Sequence, residues 1–124
     1  MIIAIDFDGT LHTGEYPEIG APKQYAVEAM QRLKADGHCL IIWTCREGGY
    51  ESEMIKWLEK HKIPFDCINE HDMDALKNFP YESRKVYADV YIDDHNLGGL
   101  PTWHEIYDII SGKVKHYWVY KFLK

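Results

Sequence analysis

The chain has no CxxC pair, no apolar run near the length of a membrane span and no excess of basic residues, and each absence removes a class of function. Its three cysteines, Cys39, Cys45 and Cys67, stand far apart. An odd count without ligand spacing excludes a disulfide framework and a structural zinc site, so they read as reduced thiols. A membrane span needs roughly 20 consecutive apolar residues; nothing here approaches that, and no membrane partner is expected. The formal net charge is −6, which argues against nucleic acid as a default partner, because phosphate backbones attract basic surfaces. The opening Met1-Ile2-Ile3-Ala4-Ile5-Asp6 has no basic region ahead of its apolar residues and reads as a strand, not a signal peptide. That points to the cytoplasm. Repeats, low-complexity tracts and linker-like stretches are also lacking.

What is present fits one globular unit. Apolar residues make up 46% and charged residues 27% of 124, a balance that supports one domain over 1–124 with a real core. Apolar runs alternate with helical patterns. Ile2 to Ile5 reads as a strand buried on both faces. A polar stretch rich in Gly and Pro follows to Gly20. Ala26, Ala29, Met30 and Leu33 then recur at helical spacing, with Pro22 suited to a first turn and Gly37 to a stop. Cys39 to Trp43 is the second strand; Met54, Trp57, Leu58 and His61 mark a second helix. Phe65 to Ile68 and Ala88 to Ile92 are further strands, with an ambiguous region between. Thr102 and Glu105 have capping-box spacing ahead of Trp103, Ile106, Tyr107 and Ile110. Gly112 ends that helix, and His116 to Tyr120 predicts a fifth strand. The expectation is an α/β fold: a single doubly wound, Rossmann-like domain on a mainly parallel five-stranded sheet, covered on both faces.

Such domains bind ligands at the carboxyl ends of their strands, so those positions carry the functional argument. Asp6-Phe7-Asp8-Gly9-Thr10 follows the first strand, Thr44-Cys45-Arg46 the second, and Asp93-Asp94-His95-Asn96 the fourth. Four carboxylates, Asp6, Asp8, Asp93 and Asp94, thus converge on one rim. Unneutralised, they repel one another and drive one to take up a proton. A hard divalent cation resolves this, and an oxygen-only donor set points to Mg²⁺; His95, the one nearby nitrogen candidate, is too little for zinc.

DFDGT after the first strand, IIWTCR at the second, a lysine before the fourth and VYIDD at its end resemble the four signature motifs of the haloacid-dehalogenase-like (HAD) phosphatase superfamily. In order and spacing they frame residues 2 to 94, about three quarters of the chain. The resemblance implies a Mg²⁺-dependent phosphohydrolase acting on a phosphomonoester. Asp6 is then the nucleophile that forms an aspartyl-phosphate. Asp8, its pKa partly raised by the crowd of acids, protonates the leaving group and later deprotonates water. Asp93 and Asp94 hold Mg²⁺ together with Asp6 and the main-chain carbonyl of Asp8. Thr44 donates to the phosphoryl group, helped by backbone N–H groups of Cys45 and Arg46. Lys85 is expected to neutralise the phosphate, with Lys77 and Arg84 as alternatives.

Neither interval between motifs has room for a separate cap domain, and the loop from Leu11 to Gly20, with Tyr16 and Pro17, is the sole local flap. So open a site suits a bulky phosphorylated substrate, or one covered by a second subunit of a homo-oligomer, and also admits a small ester. His12 and His95 adjoin the motifs as candidates to touch substrate. His38 and His61 read as structural histidines, and His71-Asp72-Met73-Asp74 as a solvated loop lacking the glycine and glutamate of a calcium site. The mixed basic and aromatic run Lys113 to Lys121 reads as a guarded edge strand. Three rivals remain. A phosphotransferase or mutase shares the motifs. A receiver-like signalling domain predicts a phosphoacceptor Asp after the third strand, where Asn69 stands. A partner-binding protein without turnover is disfavoured by the intact set of acids with Thr44.

Overall fold

A computed structural model describes residues 1–77 and 83–112. Four strands, β1 (Ile2–Ile5), β2 (Cys39–Ile42), β3 (Cys67–Ile68) and β4 (Val90–Ile92), alternate with helices α1 (Ala26–Ala35), α2 (Gly48–Lys60), α3 (Met73–Leu76) and α4 (Trp103–Ile110). All strand pairs are parallel, in the order β3-β2-β1-β4. This is an α/β unit on a four-stranded parallel sheet. The predicted fifth strand, His116 to Tyr120, lies outside the described residues. β4 is the outer strand among those described, and beside it an apolar groove is lined by Val90, Ile92, Leu100, Ile106 and Ile110.

Strand formation follows from the β-branched, wholly apolar sequence of β1, which pairs on both sides and has no solvent face to populate with polar residues. Its side chains alternate between two clusters. Ile3 and Ile5, with Leu40, Ile42 and Ile92, pack against Met30 and Leu33 of α1, Met54 and Leu58 of α2, and Trp103 and Ile106 of α4. Each fully buried aliphatic chain there contributes about 2 kcal/mol. On the other face, Ala4 and Ile41 meet Val86 and Ala88. The three longer helices therefore share one face of the sheet, and the chain returning to β4 covers the other.

Helix ends follow local chemistry. Thr102 and Glu105 form the expected capping box, each accepting a backbone N–H of the other. α1 begins later than Pro22 suggests, at Ala26, after Tyr25 turns the chain at φ 67. It stops where Gly37 takes φ 94, a conformation that costs a residue with a Cβ about 1–2 kcal/mol. The ambiguous region holds α3, capped by the Asp72 side chain on the N–H of Ala75. The order of strands is what matters for function. β2 and β3 lie to one side of β1 and β4 to the other, so the chain reverses direction between β1 and β4, leaving a crevice at their carboxyl ends.

Candidate active site

Asp6 is the first residue beyond β1, and its N–H still donates to the carbonyl of Ile92 at 2.9 Å. This one hydrogen bond sets the ends of β1 and β4 level, so that Asp6 meets Asp93 and Asp94. Carboxylate oxygens of the three lie within 4.8 Å of one another. The Thr10 hydroxyl holds two of them: it donates to Asp6 Oδ2 at 2.9 Å and accepts the N–H of Asp94 at 3.0 Å. Thr10 is itself fixed by buried Trp103, whose indole N–H donates to its carbonyl at 2.9 Å. Gly9 has to be glycine on two counts. Its φ is +80, and a Cβ there would lie 2.2 Å from Asp94 Oδ2.

Burial foremost, and then the nearby Asp94 and Asp93, push the Asp6 carboxyl up to about 7, against the opposing Thr10 hydrogen bond. An acid that resists ionisation beside two others marks a group of oxygen donors that could hold a hard divalent cation. The donor set fits Mg²⁺, which takes carboxylates and keeps several waters. Asp93 is further oriented by accepting the N–H of His95 at 2.9 Å.

Asp8 is different. Its side chain turns away from the other acids to Arg46, which binds it through Nε at 2.8 Å and Nη2 at 2.7 Å. His12 Nε2 lies 2.8 Å from the same carboxylate. The His12 Nδ1 accepts the N–H groups of Gly14 at 3.0 Å and Gly20 at 3.2 Å. The ring hydrogen therefore sits on Nε2 and is donated to Asp8. Burial alone would push the Asp8 carboxyl up, but the hydrogen bonds from Arg46 and then His12, with the guanidinium charge, hold it below the usual carboxylate range. This corrects the sequence-based expectation of a partly raised pKa, which took Asp8 to share the acids' crowding and Arg46 to offer only its backbone. The Arg46 N–H is in fact spent on the Thr44 hydroxyl oxygen at 3.1 Å.

Among the described residues the Thr44 hydroxyl accepts from Arg46 and donates to no partner, and the Thr44 backbone is clamped at both ends by Asn69. The Thr44 N–H donates to Asn69 Oδ1, and Asn69 Nδ2 donates to the Thr44 carbonyl, each at 2.8 Å. Sequence reasoning noticed Asn69 only for the carboxylate it is not. An Asn directly after a strand, where it takes φ 54, is the signal that was available. Asp6, Asp8, Thr44, Arg46, Asp93 and Asp94 line a common cleft of about 390 Å³, with Cys45, Tyr16 and His95 at its sides.

Lys85 does not join them. It precedes β4, which runs parallel to β1, so it emerges at the amino end of the sheet, where the next residues cover Ala4 and Ile41. There its ammonium lies over the Tyr91 ring at 4.9 Å. Arg84 adjoins it in sequence, and Lys77 pairs with Asp74 in solvent; neither lines the cleft. Among the described residues the arginine or lysine in the cleft wall is Arg46.

No family model matches the chain, and neither does any curated protein. A solved structure is similar over most of its length: a conserved protein from Bacteroides thetaiotaomicron, 40% identical, with a TM-score of 0.81 and 92% of each chain covered. This chain belongs to that protein's family.

Proposed function

We propose that the chain is a Mg²⁺-dependent, HAD-like phosphohydrolase that cleaves a phosphomonoester through an aspartyl-phosphate on Asp6. The observation that carries this is the convergence of Asp6, Asp93 and Asp94 at the crevice between β1 and β4, with a fourth acid, Asp8, held apart on its own partners. A turn of polar residues has no reason to bring three carboxylates together at a cost in repulsion. A bound cation does.

The roles follow from positions. Asp6, Asp93 and Asp94 would hold Mg²⁺, which supplies the charge that keeps Asp6 ionised and offsets that of the phosphate. An Asp6 oxygen attacks phosphorus, and the bond from phosphorus to the ester oxygen breaks. The Thr44 hydroxyl donates to a phosphoryl oxygen as charge shifts there. Once the phosphate has drawn the guanidinium off it, Asp8 takes up a proton from solvent and gives it to the departing oxygen; it then takes one from the water that attacks the aspartyl-phosphate, whose bond from phosphorus to Asp6 breaks to release inorganic phosphate. A phosphate dianion beside Arg46 competes with Asp8 for the guanidinium, and so frees the carboxyl to take part. His12 retains its hold on one Asp8 oxygen meanwhile.

Purified protein is expected to hydrolyse a generic aryl phosphate with added Mg²⁺ and to stop with EDTA. Asp6→Asn is expected to lower kcat by about three orders of magnitude or more, and Asp8→Asn by about 10²–10⁴-fold. Undiminished turnover by Asp6→Asn rules out this nucleophile. Release of free phosphate, rather than its transfer to an added sugar hydroxyl, separates the hydrolase from a phosphotransferase on the same residues.

A further inference from the structure

Tyr16 and Tyr50 are 58% and 46% exposed, and their rings stand together at a centroid distance of 5.7 Å. Single exposed aromatics are ordinary. This pair is built. Arg46 donates to the carbonyl of Pro17 at 2.9 Å and, more weakly, to that of Tyr50 at 3.5 Å. One buried guanidinium thus ties the flap to the first turn of α2. It also lies over the Tyr16 ring at 5.0 Å from its centroid, fixing the plane of the ring.

The flap behind Tyr16 is closed as tightly. The N–H groups of Gly14 and Gly20 both point to the His12 ring, and a Cβ on either glycine would strike the other's backbone at about 2.5 Å. Trp57 donates to the Gly20 carbonyl at 3.0 Å. Tyr16 is therefore held, exposed, in the wall of the cleft that contains Asp6. A ring fixed in place before binding presents an aromatic face at little entropic cost.

Resting on the phosphohydrolase reading, we infer that Tyr16, flanked by Tyr50, is a stacking platform that selects phosphate esters whose alcohol carries a flat ring. A nucleobase or a simple aromatic ring supplies that chemistry equally well. Small aliphatic esters reach the same reacting groups without the platform.

The test is steady-state hydrolysis by the full chain, with Mg²⁺, of a nucleoside 5′-monophosphate, phenyl phosphate and glycerol phosphate. The wild type is expected to favour at least one ring ester over glycerol phosphate. In Tyr16→Leu the ratio of kcat/KM, favoured ring ester over glycerol phosphate, is expected to fall about tenfold, mainly through KM; Tyr16→Phe preserves it. A fall confined to the nucleotide assigns the platform to a base, and a fall in both assigns it to any flat ring. An unchanged ratio in Tyr16→Leu, or no ring preference in the wild type, overturns the inference while the phosphatase reading stands. Absence of Mg²⁺-dependent turnover of all three esters overturns that reading and this inference with it. Should Tyr16→Leu not fold, Tyr50→Leu is expected to lower the same ratio, and its failure to do so counts equally against the platform.

Discussion

Replacing Asp6 by Asn should make the metal-free protein more stable while removing its response to Mg²⁺. Asn keeps an oxygen for the Thr10 hydroxyl and adds an amide donor toward Asp94, so the shape of the site is preserved and one charge is lost. The Asp6 carboxyl is raised from 3.8 to about 7, a rise of about three. At 1.36 kcal/mol for each, that is a ceiling of about 4 kcal/mol of strain in the ionised folded protein. Solvent reaches Asp6, and screening brings the figure to about 2 kcal/mol.

The sign follows from linkage. Between pH 4 and 7 the folded protein binds the proton that the unfolded chain has lost, so stability falls as pH rises through that window. Above it the full cost is present; below about pH 4 there is none. Asp6→Asn should therefore raise Tm by about 8 °C at pH 8 in EDTA, taking about 4 °C per kcal/mol for a domain of this size. The gain should shrink to about half at pH 5.5 and vanish near pH 4. Adding Mg²⁺ should raise the Tm of the wild type at pH 8 and leave the variant unmoved. Differential scanning calorimetry across these conditions decides the matter. A variant less stable than the wild type at pH 8, or one that still gains stability from Mg²⁺, would refute the idea that three carboxylates await a cation.

Arg46→Met is expected to destabilise the fold by about 3 kcal/mol in urea denaturation, because it leaves the Asp8 carboxylate with His12 alone and frees the flap; a loss below about 0.5 kcal/mol would show that the pair is not structural. Gly9→Ala should abolish Mg²⁺ binding measured by titration calorimetry, since its Cβ meets Asp94 Oδ2 at 2.2 Å; normal affinity would mean the loop adjusts freely. Lys85→Met should leave kcat/KM within about twofold, and a loss of a hundredfold would place that lysine back among the catalytic groups. His12→Ala leaves the Gly14 and Gly20 N–H groups without their acceptor, and should cost about 2 kcal/mol of stability in the same denaturation assay.

The amino-acid sequence by itself determined the alternation of strands and helices, the capping box at Thr102 and the acids after β1 and β4. These are local matters: side-chain period, turn chemistry and the rule that parallel strands point their carboxyl ends one way. Lys85 shows where local reasoning stops. A strand of three residues and the path of its approach decide which end of the sheet a lysine reaches, and no pattern within the approach encodes that. Asp8 and Arg46 show it again. Separated by 38 positions, they meet only because β1 and β2 are neighbours in register, and that contact reverses the direction in which the Asp8 proton affinity moves. Thr10, His12 and Asn69 act through hydrogen bonds to groups whose placement the packed sheet supplies. Residue type can offer a donor or a carboxylate; which partner it finds depends on distances that exist only after the chain has folded.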